Sequence, residues 1–421
     1  MPNRAEILRA RRDCVGAAEW QARLPVLRAQ TLTLRELVPS DAPSLARWLR
    51  RRDAWQFTER LPECPAGFEW FIGWLDRERR AGRSLCFGIV PLGLRDAVGF
   101  VLIRRLDVGF HAGRCAFALG EPFYDIGLLA PAAEVALDYT IRRLRPQRIE
   151  VRTWDARESQ VLEALGAVRE GVLRGTCHAG GEPVDATLWS MLRDEWTASR
   201  RRVTYNCCPP SSESPRVPDG RATPADDPAL ARPRWGSVLP VLAGEGLTLR
   251  EVEAADAAHL LRVLSPQDIR AFIDPPPLTE KLFRQYIAWA IRERELGRAA
   301  CYAVVVGADP APGGLVQVRQ VDPTFVTAEW GIVFAAALRG SGLFSRVTRL
   351  LLDFLFETVG VSRLEAQTTR QNLAALGSLR AAGGAREAVL RRVSLIDNQS
   401  VDQELWAILR QDWRRAGFRP D

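Results

Sequence analysis

Ala328-Glu329-Trp330-Gly331-Ile332-Val333-Phe334, followed closely by Leu338-Arg339-Gly340-Ser341-Gly342-Leu343-Phe344, is the stretch on which the fold turns. It reads as a strand, a glycine-containing turn and the start of a helix. Apolar residues at 343, 347, 350, 351, 354 and 355 keep helical spacing. Gly340 and Gly342, just before them, permit a tight turn in which several backbone N–H groups point the same way. Free amides at a helix start, with the helix dipole and Arg339 beside them, make a seat for an anion such as a pyrophosphate. Two glycines before a helix also make an ordinary turn, so the neighbouring sequence has to choose.

Strand, turn and helix together resemble motif A of the GNAT acyltransferases, whose Arg/Gln-x-x-Gly-x-Gly/Ala loop holds the pyrophosphate of acetyl-CoA. The resemblance implies that Ile332, Val333, Phe334, Arg339, Gly340, Ser341, Gly342, Leu343 and Phe344 bind acetyl-CoA, with Phe344 standing where the family has a small residue. Ala328-Glu329-Trp330-Gly331-Ile332 resembles the Ala-Glu-Ile-Gly-Tyr strand of the Rim-type branch, which acetylates protein N-termini among other amines. In that branch the strand Glu lies near the reacting amine. Downstream, Arg363-Leu364-Glu365-Ala366, then Asn372 and a helix reaching Gly383-Gly384, resemble GNAT motif B. The resemblance gives Asn372 a contact with the pantetheine; its residue type equally suits an ordinary helix N-cap.

Outward from this stretch, the chain is one unit written twice. Leu24-Pro25-Val26-Leu27 recurs as Leu239-Pro240-Val241-Leu242, and Leu32-Thr33-Leu34-Arg35-Glu36 as Leu247-Thr248-Leu249-Arg250-Glu251, at one constant offset. At that offset Trp74, Arg77, Glu78 and Arg79 meet Trp289, Arg292, Glu293 and Arg294; near the end Trp189 and Trp196 match Trp406 and Trp413 after a shift of two residues. Between the copies, 197–236 is rich in Pro, Ser, Asp and Arg and cannot bury enough apolar surface to order itself. The expected division is therefore a domain at 1–196, a Pro-rich linker at 197–236 and a second domain at 237–421.

Each unit reads as a strand (30–37 and 246–252), two helices, a pair of strands, the motif-A strand and helix, and then strand–helix–strand–strand. In the second, Asp256 is placed to cap the first helix and Thr279 the second, with Pro275-Pro276-Pro277 breaking the chain between them. Strands at about 300–306 and 314–321 follow, with Gly313-Gly314 as the turn. This alternation implies an α/β fold; with the resemblance, two GNAT-like domains, each a mixed central sheet flanked by helices.

A chain of 421 residues, 47% hydrophobic, supports packed cores in two or three domains. The N-terminal stretch, with Arg4, Arg9, Arg11 and Arg12, carries no apolar run of signal-peptide or membrane length, so the cytoplasm and no membrane are expected. Eight cysteines and three histidines without paired ligand spacing predict neither a disulfide framework nor a metal site. Cys207-Cys208 read as linker thiols, Cys86 and Cys301 as packed strand residues. The net charge is +7, but the basic residues, of which Lys281 is the only lysine, are dispersed among acids. No nucleic acid is expected, although CoA phosphates would still be attracted.

Acyl transfer to an amine needs a neutral nucleophile, stabilisation of charge developing on the carbonyl, and a proton for the departing thiolate. An α-amino group titrates at about pH 8, so a strand carboxylate acting through water suffices as base. Glu329 is the candidate catalytic residue; the competing reading is a carboxylate that faces solvent or pairs with an Arg. Family members supply the thiolate's proton from a Tyr or Ser on the motif-B helix, where this chain has Leu379 and Ala375. In the first unit Arg114 stands opposite Glu329, Tyr124 and Asp125 opposite Arg339 and Gly340, and Asp155 opposite Asn372; only Gly127 is kept. Carboxylates there repel a pyrophosphate, which makes the first unit a degenerate partner domain. The reading is an N-acetyltransferase that uses its second unit to move an acetyl group from acetyl-CoA to an amine, either a protein N-terminus or a small molecule. It would act as a monomer with an internal pseudo-dimer or as a homodimer. The alternative is a non-catalytic acyl-CoA-binding or scaffold protein.

Overall fold

A computed structural model describes residues 17–49, 62–107, 109–179, 182–199, 203–208, 235, 238–244, 246–273, 276–321, 325–396 and 399–415. The chain divides into two compact units, residues 1–226 with 391–393 and residues 227–390 with 394–421. In the first, α1 (Ala17–Ala22), β1 (Val26–Arg28) and β2 (Leu32–Glu36) lead to α2 (Ala42–Trp48) and α3 (Pro65–Arg80). Then come β3 (Ser84–Pro91), β4 (Gly99–Arg105), β5 (Ala112–Leu119), α4 (Glu121–Asp125), α5 (Leu129–Tyr139) and β6 (Arg148–Thr153). The unit closes with α6 (Ala156–Ala164), β7 (Val168–Ala179), β8 (Glu182–Leu192), α7 (Arg193–Ala198) and β9 (Asn206–Cys208).

The second unit repeats the plan. Strands β10 (Leu242–Gly244) and β11 (Leu247–Glu251) precede α8 (Ala257–Val263), α9 (Pro266–Phe272) and α10 (Glu280–Glu295). After these come β12 (Ala299–Val306), β13 (Pro312–Gln320), β14 (Thr327–Phe334), α11 (Leu343–Asp353) and β15 (Arg363–Thr369). Last are α12 (Leu373–Ala381), β16 (Ala385–Ile396), β17 (Gln399–Leu409) and α13 (Arg410–Arg415). Strands β10 to β14 pair antiparallel in order, β14 runs parallel to β15, and β15 pairs antiparallel with β17, which pairs with β16. The first unit has the same order, β1 to β5, then β6, β8 and β7. Each unit is thus the expected mixed sheet flanked by helices.

Strand alternation divides the second core between the two faces of its sheet. Tyr302, Val316, Val318, Ala328 and Trp330 pack with Leu343, Val347 and Leu351 of α11. Cys301, Ala303, Leu315 and Val333 pack with Leu260, Ile269, Phe283 and Ile287 of α8–α10. Glu329, between Ala328 and Trp330, therefore belongs to the α8–α10 face. Burial pushes the Cys301 thiol up to about 12, as suits a packed thiol.

Several local expectations are corrected. Gly313 and Gly314 lie inside β13 instead of forming the turn. The turn falls at Gly307 (φ +73°), while a Cβ on Gly314 would collide with the Val333 carbonyl of the adjacent strand. The first helix of the unit is split, because Ser265 caps α9 and Pro266 occupies its first turn. Asp256 stands at the N-cap of α8 as expected, but its side chain makes no cap bond: it closes a short 3-10 turn, Ala254–Asp256, and is held by both terminal guanidinium nitrogens of Arg250 at 2.7 and 2.8 Å. Thr279 caps α10 as expected, accepting from the Leu282 amide at 3.3 Å. Cys207 and Cys208 are strand residues, since β9 pairs with β1 (Leu27↔Cys207, Val26↔Cys208) and adds an edge to the first sheet. Tyr205 beside them packs on the first core and donates to Asp138 at 3.2 Å. At the far end of the same expected linker, Trp235 is buried edge-to-face on Phe325, 5.1 Å between centroids. The stretch between them, 209–234, lies outside the described residues. Among the described residues no helix is long and apolar enough to cross a membrane.

Candidate active site

The ladder between β14 and β15 has three pairs, Thr327↔Arg363, Ala328↔Leu364 and Glu329↔Glu365, and stops there. Beyond it β14 stays on β13 as far as Gly314↔Phe334, and β15 stays on β17 as far as Thr369↔Gln403. The sheet therefore opens into a fork, with Trp330–Phe334 on one arm and Ala366–Thr369 on the other. Polar backbone along the inner edges of these arms is left for something other than a neighbouring strand. Ile332, Val333 and Phe334 lie on the first arm, and Glu329 sits at its apex.

At the end of that arm the chain makes a 3-10 turn, Ala336–Leu338, passes Arg339 and enters α11 through Gly340 (φ +76°) and Gly342 (φ +73°). Both glycines occupy the left-handed region, and a Cβ on either would meet nothing within 4 Å, so the requirement is conformational, not steric. No amide from Gly340 to Phe344 donates to a protein backbone or side chain among the described residues. Ser341 Oγ donates to the Leu338 carbonyl at 2.7 Å and closes the loop. The Phe344 ring turns onto the core, 5.8 Å from Trp330, which leaves the amides clear of it. A row of unclaimed amides at the positive end of α11 fits a pyrophosphate.

Arg339, expected beside the pyrophosphate, is already engaged. Its Nη2 pairs with Asp268 Oδ1 of α9 at 2.5 Å and donates to the Phe334 carbonyl at 3.2 Å. Partial burial opposes ionisation of Asp268, but hydrogen bonds from Ser265 and Arg339 outweigh it and hold the carboxyl below its usual range.

On the α8–α10 face, Arg319, Glu329 and Glu365 form a row across three strands. Glu329 Oε2 accepts from Arg319 Nη2 at 3.1 Å, and its carboxylate raises the Arg319 pKa. The side chain thus pairs with an Arg and is still 23% exposed. Behind the row, buried Arg363 pairs with Glu365 at 2.9 Å and Glu387 at 2.7 Å. Phe272 of α9 lies against Gly331, where an added Cβ would come within 3.1 Å of the ring. Asn372 is exposed and its Oδ1 accepts from the Ala375 amide at 3.2 Å, the N-cap role. Leu379 is buried in the core, so neither family position offers a proton donor. Arg319, Asp268 and Phe272 are the site residues the sequence reading missed; only the Ser265-x-x-Asp268 capping box signalled one of them.

The first unit fills the same region with its own side chains. Its parallel ladder runs from Ala112↔Arg148 to Cys115↔Val151, and Arg114, in the place of Glu329, bonds Glu150 at 2.8 Å. Tyr124 donates to Glu158 at 2.8 Å, as does Thr153 at 2.6 Å. Arg157 pairs with Glu121 at 2.6 Å and Asp155 at 2.8 Å, and lies 4.4 Å over the Tyr124 ring. Burial pushes Glu158 up to about 8, against the hydrogen bonds from Thr153 and Tyr124 that favour its charged form. Gly127 keeps its left-handed φ of 71°, but α4 stands in place of the 3-10 turn.

The acetyltransferase (GNAT) domain family matches this chain twice, over residues 31–168 and 246–385, which is more than half of its length. The chain belongs to that family and is an acyltransferase. A curated relative, the uncharacterized N-acetyltransferase p20 of Bacillus licheniformis, is 22% identical over 170 residues, 40% of this chain and 96% of the relative. Among solved structures, a putative acetyltransferase from T. thermophilus is 22% identical with a TM-score of 0.38, covering 43% of this chain and 96% of its own. RimL, a ribosomal L7/L12 alpha-N-protein acetyltransferase in complex with coenzyme A, is 15% identical with a TM-score of 0.38, covering 40% of this chain and 98% of its own.

Proposed function

We propose that the second unit transfers an acetyl group from acetyl-CoA to an amine, and that the first unit is a partner domain that binds no CoA. The observation that carries this is the coincidence, in the second unit, of the fork beyond Glu329 with the unclaimed amides from Gly340 to Phe344. In the first unit Tyr124, Glu158, Arg157 and Asp155 pair with one another at the corresponding place. The two domains are 1–196 and 237–421, joined by 197–236, of which Asn206–Cys208 pair with the first sheet.

Acetyl-CoA supplies the activated acyl group. The loop amides would hold its pyrophosphate, and the edge of Ile332–Phe334 would pair with the pantetheine as an added strand does. Glu329 would take a proton from the incoming ammonium, directly or through water; the neutral nitrogen then attacks the acyl carbon, the C–S bond breaks, and the nitrogen's remaining extra proton passes to solvent. With Leu379 buried and Ala375 apolar, the thiolate takes its proton from solvent. The Ala-Glu-Trp-Gly-Ile strand favours a Rim-type acceptor, a protein N-terminus or a small amine.

Calorimetry of the full chain with CoA should give one site, and thiol release should appear with part of a panel of N-terminal peptides and small amines. Two equivalent sites would refute the role given to the first unit. One site with no thiol release across the panel would favour the scaffold reading.

A further inference from the structure

We infer that Asp268 competes with the pyrophosphate of acetyl-CoA for Arg339, and so holds down the affinity of the cosubstrate site. The inference rests on the second unit being that site. Arg339 is the only cation in the loop that leads into α11, from Ala335 to Gly342; Arg346 follows in the first turn of the helix. Its guanidinium is 2.5 Å from the Asp268 carboxylate, so the loop's charge is already paired.

The two partners are unequally held. Asp268 is fixed to α9, accepting from Ser265 Oγ at 2.6 Å and from the Ser265 amide at 3.2 Å, while its own amide donates back to Ser265 Oγ at 3.1 Å. Its side chain is 19% exposed. Arg339 is 51% exposed on a flexible stem, and among the described residues its further hydrogen bond is to the Phe334 carbonyl. An arriving dianion can therefore draw Arg339 away, whereas Asp268 stays where it repels phosphate. Product CoA carries the same pyrophosphate, so the carboxylate also speeds its departure.

The test measures CoA binding by calorimetry for the wild type, Asp268→Asn, Arg339→Ala and the double variant. Asn keeps the acceptor oxygen of the cap, and Asp268→Ser serves as a second variant if Asn perturbs folding. Asp268→Asn should bind CoA roughly two- to five-fold more tightly, the range set by a half-exposed ion pair. Arg339→Ala should bind it more weakly, and in that background the gain from Asp268→Asn should shrink by at least half. Unchanged or weaker binding by Asp268→Asn, with Arg339→Ala still weakening it, overturns the competition. An equal gain with and without Arg339 overturns it too, because repulsion alone would then act. A wild type that binds no CoA refutes the underlying site instead.

Discussion

Glu158→Gln replaces a buried carboxyl of the first unit by a neutral group of the same shape. The carboxyl faces Tyr124, Thr153, Asp155, Arg157 and Cys115. Its ordinary pKa of 4.5 is raised to about 8, chiefly by burial, so the folded state binds the proton more tightly than the unfolded state does. The stability this contributes is complete below the unfolded value and is lost as pH rises through the folded one. At about 1.4 kcal/mol per pKa unit, the wild type should lose about 4 kcal/mol between pH 5 and pH 9 through this group alone. The Gln variant has no such proton to lose. Hydrogen exchange of the β6 and α6 amides in the full chain, followed at pH 5, 7 and 9 after correction for intrinsic rates, reads the difference inside the first unit. The variant's advantage should be small at pH 5 and grow steadily to pH 9. Parallel pH dependence in the two proteins would refute the buried proton on Glu158.

Three further outcomes are expected. Glu329→Gln should leave CoA affinity unchanged and lower turnover by roughly 10- to 1,000-fold once an acceptor is found, whereas wild-type turnover would leave Glu329 as no more than the partner of Arg319. Gly342→Ala forces a side chain into the left-handed region at φ +73° and should cost about 1–2 kcal/mol, measured by urea denaturation; no change would mean the loop relaxes freely. Arg363→Met removes the guanidinium shared by buried Glu365 and Glu387 and should destabilise by about 3–5 kcal/mol, with most of the loss recovered when both acids are also changed to Gln. Failure of that rescue would show that the guanidinium acts through other contacts.

The sequence alone determined the duplication, the α/β class, the helix from Leu343, the tight glycine turn before it and the Thr279 cap. Each of these is local, being written in a repeat, a period or a cap within a few residues of its partner. It also located the stretch from Ala328 to Phe344, and the strand alternation from which the face of Glu329 follows. Only the tertiary structure decided where β14 leaves β15, because the end of a parallel ladder depends on how two distant strands diverge, and on no residue in either. The same holds for Asp268 on Arg339, for Tyr124 on Glu158 across 34 residues, and for Arg319 on Glu329 across the hairpin, pairs that exist only once register and helix docking are set. Cys207 and Cys208 looked like linker because their neighbours are prolines; they became a strand because β1 presents an open edge, and backbone hydrogen bonds satisfy that edge whatever the side chains are.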